Sequence, residues 1–275
     1  MSHDPYGQRS QMEHATMVGT LHAQASMIWP LERPLLESIG LPGTGRVLDL
    51  GCGTGELTGR IARAWPELSV VGLDLFEGHL RLARGAHPPA EVPNVRFVAG
   101  DARATPWEDA SFGAVTIRHV LQAVPDPEAL LREARRLLRP GGLLYVLAED
   151  YHALLFDVDD PAAARMFLDV APGVRATGSD LLHGRTVPRQ LRRIGFSEIR
   201  VRPLVVDTEG VSRETFAEML RFWRDGYDTF IAEGLGGIDP AVVRARFNAI
   251  IDSVLDPERY AAWLLLAVVA RKEGG

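Results

Sequence analysis

Short apolar runs and amphipathic stretches alternate along the middle of the chain, and that alternation predicts strands and helices in turn. Arg46 to Leu50, Ser69 to Asp74, Val95 to Ala102, Phe112 to Arg118 and Leu143 to Ala148 are nearly continuous apolar runs, the pattern of strands buried on both faces. Between them, Glu56 to Trp65, Phe76 to Ala86 and Asp126 to Leu138 carry apolar residues at helical spacing. Parallel strands need crossover helices, which are overwhelmingly right-handed, so the repeated units predict a parallel sheet covered by helices on both faces. A nucleotide crevice in such a sheet lies at the carboxyl ends of the strands.

The flanks are patterned differently. Met1 to about Ala23 is polar and rich in His, Gln and Met; it reads as a flexible arm or loose helix, or else as a lid carrying Tyr6, His14 and His22 over a substrate. Gln24 to Ile39 has helical spacing, with Pro30 and Pro34 expected to break its regularity. After Asp150 the pattern loosens, with a short helix expected at Pro161 to Val170 and a second at Arg185 to Ile194. Ser197 to Val206 and Tyr260 to Arg271 read as the last two strands. Between them Arg213 to Leu255 holds two helical segments separated by Gly234-Leu235-Gly236-Gly237, an insert that reads as a cap over the pocket or as a homodimer surface.

Composition narrows the class. A chain of 275 residues with 46% hydrophobic content can bury a large core, so one α/β domain with an appendage is expected. The net charge of −6, with both signs interspersed, disfavours nucleic acid as a partner. Cys52 is the single cysteine, which excludes intrachain disulfides and cysteine-based metal sites. No signal-like opening and no apolar run of membrane-spanning length is present, so a cytoplasmic protein without a membrane span is expected.

The chemistry concentrates where the first strand ends, at Asp49-Leu50-Gly51-Cys52-Gly53-Thr54-Gly55. Glycines at alternate positions let a ligand approach the main chain closely, and the following helix points its amides at it. The spacing is not the G-x-G-x-x-G dinucleotide fingerprint and lacks the Lys-Ser/Thr ending of a phosphate loop. Asp74, closing the second strand, stands where a carboxylate grips ribose hydroxyls in doubly wound nucleotide folds.

With Asp49 ahead of it, the loop resembles motif I of the class I S-adenosylmethionine-dependent methyltransferases, of the small-molecule kind found in ubiquinone and menaquinone biosynthesis. Asp101-Ala102 after the third strand, Leu138-Arg139-Pro140-Gly141-Gly142 before the fifth and Gly195-Phe196 before the sixth are similar to that family's further hallmarks. The resemblance implies a doubly wound, Rossmann-like, seven-stranded, mostly parallel sheet with an antiparallel last strand. The resemblance covers about 46–148 and 185–196; with the flanking patterns, the chain reads as an N-terminal arm and helix (1–45) and a methyltransferase domain (46–275) with a helical cap insert at about 211–257, the arm and the cap lying outside the resemblance. The resemblance implies S-adenosylmethionine as cofactor and S-adenosylhomocysteine as product. Gly51, Cys52, Gly53, Thr54 and Gly55 would give backbone access to the methionine end, and Asp49 would order that loop. Asp74 and Leu75 would hold the ribose and adenine, Asp101 and Ala102 the adenine edge, with Arg118 at the end of the fourth strand completing the cofactor set.

Catalytic candidates are His119, Tyr151 and His152, placed after the fourth and fifth strands where cofactor and acceptor should meet; a purely structural histidine is the alternative. Tyr6, His119, Tyr151, Trp223 and Tyr227 are the acceptor-binding candidates, the last two within a cap cluster with Phe222 and Phe230 that reads equally as core. The segment Ile117-Arg118-His119-Val120 lacks the Asn/Asp-Pro-Pro-Tyr that methyltransferases of DNA bases and glutamine share, which favours a small-molecule acceptor. Methylation of protein or RNA, or a cofactor-binding scaffold without transfer activity, are the competing readings. No group with metal-ligand spacing is evident, so no metal is expected.

Overall fold

The computed structural model describes residues 15–43, 45–176, 178–232 and 238–274. Tyr6, His14 and the glycine-rich break at 234–237 lie outside them. Strands β1 (Arg46–Leu50), β2 (Ser69–Asp74), β3 (Val95–Ala99), β4 (Phe112–Arg118) and β5 (Leu138–Ala148) form a parallel sheet in the order β3-β2-β1-β4-β5. β8 (Ala261–Lys272) runs antiparallel between β5 and β7 (Phe196–Asp207). An eighth strand, β6 (Leu154–Phe156), was not foreseen; it continues along β8 beyond the end of β5, pairing Leu154 with Trp263. The order reverses between β1 and β4, and at such a switch point a crevice opens above the strand ends.

Alternation along β1 divides the interior in two. Leu48 and Leu50 face a core closed by α4 (Pro127–Leu137) and α7 (Val187–Ile194). Val47 faces a larger core shared with α1 (Ala15–Ser38), α2 (Glu56–Ala64), α8 (Arg213–Ala232) and α9 (Pro240–Leu255). The remaining helices, α3 (Glu77–Ala86), α5 (Pro161–Ala164) and α6 (Met166–Ala176), complete the wrapping.

Two expectations change. Pro30 and Pro34 do not break α1, which runs unbroken over 24 residues. Both prolines are exposed, while the helix buries Gln24, Ile28, Glu32 and Leu36 on its other side. Packing of that face outweighs the loss of two backbone donors. The helix expected at Pro161 to Val170 is two helices, α5 and α6, parted at Arg165.

α1 lies along α8, where the ring of Phe222 occupies the space a side chain at Gly19 would need. The first helix of the Arg213 to Leu255 insert therefore packs on the N-terminal helix.

Candidate active site

The loop after β1 is tied down by β2. Gly51 N–H and Cys52 N–H both donate to Leu73 O, at 2.8 and 3.0 Å. Gly53 N–H donates to Asp74 Oδ2 at 2.7 Å and Phe76 N–H to Asp74 Oδ1 at 2.9 Å. Gly51 has φ of +75°, and a Cβ there would stand 2.5 Å from Val120 Cγ2, so both the turn and the close approach of the β4 end require glycine. Asp74 thus holds the loop while presenting its remaining lone pairs at the strand end. Burial raises its carboxyl above the ordinary range, against the pull of the Phe76 and Gly53 amides.

Asp49 lies beneath the loop, only 2% exposed. Thr58 Oγ1 donates to Oδ2 at 2.6 Å and Thr116 Oγ1 to Oδ1 at 2.8 Å, locking α2 and β4 to β1. Burial pushes its carboxyl up to about 6 against those hydrogen bonds and the charge of Arg118. A cationic ligand favours the ionised form, whereas protonation favours the empty cleft. Affinity for S-adenosylmethionine is therefore expected to hold above pH 7 and to fall about tenfold by pH 5. Calorimetry across that range should show Asp49→Asn binding weakly throughout and without this dependence.

One cleft collects most of the expected residues: Asp49, Gly51, Cys52, Gly53, Thr54, Asp74, Leu75, Ala102, Arg118 and His119 all line it. Phe76, Val124 and Leu130 add apolar wall, and Leu21 reaches in from α1. Gly55 begins α2 as its left-handed N-cap and is set back from the wall. Asp101 is also set back; its carboxylate is forked by Arg103, with Nη2 to Oδ2 at 2.7 Å and Nε to Oδ1 at 3.1 Å.

The far end of the cleft is polar and closed. His119 has φ of +55°, outside the usual range for a residue with a side chain, and its ring stacks on Trp263 at 5.7 Å. Its Nδ1 lies 2.8 Å from Glu149 Oε1. Glu149 also accepts from Gln24 Nε2 at 3.4 Å and Gln122 Nε2 at 3.2 Å. Arg118 Nε is 3.4 Å from Glu32 Oε2, and Tyr145 OH donates to Glu32 Oε1 at 2.8 Å.

Tyr151, Trp223 and Tyr227 do not line this cleft. Tyr151 packs between Phe167 and Trp223, at 5.5 and 5.2 Å, and Tyr227 adjoins Phe167 and Phe247. Trp223 in turn meets Trp263 at 5.5 Å. The cap aromatics therefore stand behind His119, joined to it through Trp263. His152 is exposed beside Arg185, at 3.2 Å, and does not line the cleft in which it was expected.

Sequence reasoning missed Glu149, Glu32, Gln24 and Gln122. The available signal was an ionisable residue directly ending an apolar strand, as Glu149 does after Leu143 to Ala148. Among the described residues no cluster of His, Cys, Asp and Glu could hold a metal ion.

A doubly wound sheet with a glycine loop after its first strand, and a carboxylate ending the second, defines a nucleoside-binding α/β protein. The methyltransferase domain family matches residues 48–146, from β1 to β5, and over that span the chain carries a class I S-adenosylmethionine-dependent methyltransferase domain. An uncharacterised 37.1 kDa protein in transposon TN4556 of Streptomyces fradiae is 31% identical over 227 residues, covering 82% of this chain. The match spans only 61% of that relative's own length. A demethylmenaquinone methyltransferase of Staphylococcus aureus is 29% identical over 188 residues, covering 64% of this chain and 76% of that protein. Among solved structures, the cyclase SpnF shares the fold with a TM-score of 0.53 and 23% identity, over 84% of this chain and 75% of its own.

The cleft suits the family's cofactor, S-adenosylmethionine. Two buried carboxyls, Asp49 and Asp74, would meet a cationic nucleoside, and Leu75, Phe76, Ala102, Val124 and Leu130 supply apolar wall for a flat base.

Proposed function

We propose that this chain methylates a small-molecule acceptor bound at the His119 end of the cleft. The observation that carries this reading is that Asp49, Asp74, Arg118 and His119 line one cleft, and that Arg118 Nη2 and His119 Nε2 are buried without a hydrogen-bond partner among the described residues. S-Adenosylmethionine, when bound, supplies an electrophilic methyl group on a sulfonium. Asp74 would hold the ribose hydroxyls, Leu75 and Ala102 the adenine, and Asp49 the charge balance of the methionine end. Asp101 would reach the adenine edge on release from Arg103. The protein's largest contribution is alignment, worth up to about 7–11 kcal/mol when reacting atoms are held in near-attack geometry. Leu21 of α1 and the cap behind it would exclude water from that end of the cleft.

A small acceptor is supported by the absence of the planar-amide motif after β4 and by the quinone substrate in the name of the Staphylococcus relative. Trp223, only 7% exposed, packs inside the chain, which favours the cap reading over a dimer surface. No described helix is long and apolar enough to cross a membrane, and a cytoplasmic enzyme remains our reading.

Calorimetry with S-adenosylmethionine should give one site of micromolar affinity, about −8 kcal/mol. Conversion to S-adenosylhomocysteine with a panel of small acceptors should follow and should survive EDTA. Absence of binding heat would sink the proposal; binding without transfer to any acceptor would favour the scaffold reading, and loss of turnover in EDTA with rescue by Mg²⁺ would show that a metal site had been missed.

A further inference from the structure

We infer that Glu149 positions His119 as a proton acceptor, and that the acceptor molecule is an ionisable hydroxyl compound, a phenol or an enol, bound as its anion beside Arg118. This names the acceptor class for the cleft of the proposed function and rests on that reading.

Glu149 directly follows β5 and is 1% exposed. A carboxylate so placed costs several kcal/mol unless its oxygens are met by donors. Gln24 from α1, Gln122 from the segment after β4 and His119 Nδ1 meet it from three separate parts of the chain. Its backbone is held too, since Glu149 O accepts Gly184 N–H at 2.8 Å and the next residue, Asp150, is forked by Arg185. The carboxylate therefore sits at a defined point beneath the imidazole.

His119 is held as firmly. Its N–H donates to Leu147 O at 3.0 Å, and Trp263 covers one face of its ring. A left-handed backbone at a residue with a side chain costs on the order of 1–3 kcal/mol and persists where the surroundings over-determine it. The Nδ1 contact with Glu149 is close but bent rather than linear, and catalytic hydrogen bonds commonly straighten only in the complex. His119 Nε2 is buried in a residue that lines the cleft, and it has no hydrogen-bond partner among the described residues. Once Nδ1–H turns to Glu149 in the complex, the lone pair would stand on Nε2.

Arg118 supplies the other half. Its Nη2 is buried without a hydrogen-bond partner among the described residues, while Nε leans on Glu32. An open guanidinium beside a proton acceptor suits a developing oxyanion and opposes a protonated amine. The charged and titratable groups around His119 among the described residues are Glu149 just after β5, Arg118 beside it, Glu32 on α1 and Asp49 on β1 beyond Arg118, and Tyr151 and Tyr227 beyond Glu149. In the step, the acceptor's O–H proton moves to His119 Nε2 and the bonding pair stays on oxygen. The imidazolium faces Glu149, the oxyanion faces Arg118, and the proton leaves to water after turnover.

The probe is 4-nitrophenol, whose ionised form is yellow, added to protein saturated with S-adenosylhomocysteine at a pH where the free phenol is mostly protonated. The wild type is expected to bind it as the yellow anion. Glu149→Gln should weaken binding of the anion at least about tenfold, the effect of one charge-assisted hydrogen bond, and Glu149→Asp should recover part of it. His119→Gln should bind no coloured form. Nitrogen-15 spectra of histidine-labelled protein should show the His119 proton on Nδ1, moving in Glu149→Gln. Calorimetry with S-adenosylhomocysteine on each variant reads the cofactor cleft separately. A wild type that binds S-adenosylhomocysteine but never the ionised probe, Glu149→Gln behaving as wild type, or the proton found on Nε2 would each overturn the inference while leaving the proposed function standing. Failure to bind S-adenosylhomocysteine at all would instead remove the reading on which it rests.

Discussion

Asp74→Asn is expected to weaken binding of S-adenosylhomocysteine about a hundredfold while the protein still folds. The carboxylate accepts from Gly53 N–H and Phe76 N–H with one lone pair on each oxygen, leaving the others for a pair of ribose hydroxyls. Hydrogen bonds to a charged group contribute about 1.5–3 kcal/mol each, so losing the charge of a two-point contact corresponds to at least about two orders of magnitude. Asparagine keeps the shape and one acceptor, and it removes a buried charge whose ionisation burial already opposes. Alanine is the poorer test. A strand-end carboxylate was expected to have few obligations within the chain, but this one satisfies two loop amides, and Asp74→Ala would orphan both at about 1–3 kcal/mol apiece. Calorimetry and thermal melting on both variants separate the two effects: both should lose binding, while Asn, which leaves one loop amide without an acceptor, should lose less stability than Ala, which orphans both.

Gly51→Ala is expected to destabilise the protein by about 2–5 kcal/mol and to abolish cofactor binding. A left-handed backbone costs about 1–2 kcal/mol once a Cβ is present, and crowding a packed site adds about 1–3 kcal/mol. The new Cβ would lie 2.5 Å from Val120 Cγ2, a short branched side chain that cannot swing away. Val120 directly follows His119, so the displacement passes to the residue on which the acceptor end of the cleft depends. For a chain of this size the melting temperature should drop by roughly 5–15 °C. Gly85→Ala in α3, where a Cβ meets nothing within 4 Å, should instead be neutral or stabilise by about 0.5–1 kcal/mol, which makes it the control.

The parts of this molecule that could be read from sequence are those whose signal is local. Leu48, Val71, Val115 and Val146 lie in apolar runs because their strands are covered on both faces, and the glycine loop stands out because alternate glycines serve no helix or strand. The site beyond the loop is assembled from distant positions. His119, Glu149, Gln24 and Gln122 meet from two strand ends, a helix and a short turn, and no spacing in the sequence connects them. Tyr151 was placed correctly after β5, yet its ring turns to Phe167 and Trp223, because packing of the cap decides its direction and the cap's own pattern fits core and pocket equally. α1 was read as broken since proline is costly inside a helix; it holds because buried Glu32 and Gln24 give its inner face specific partners, Arg118 with Tyr145 and Glu149. The unbroken helix is thus part of the site.

A crystal structure with S-adenosylhomocysteine tests the central claim most directly, namely that one cleft binds the nucleoside at Asp74 and brings the reacting end to His119. The result expected is both ribose hydroxyls on the Asp74 carboxylate, adenine between Leu75 and Ala102, and the thioether sulfur at the Arg118–His119 end. A nucleoside bound away from Asp74, or a sulfur pointing away from His119, would contradict it.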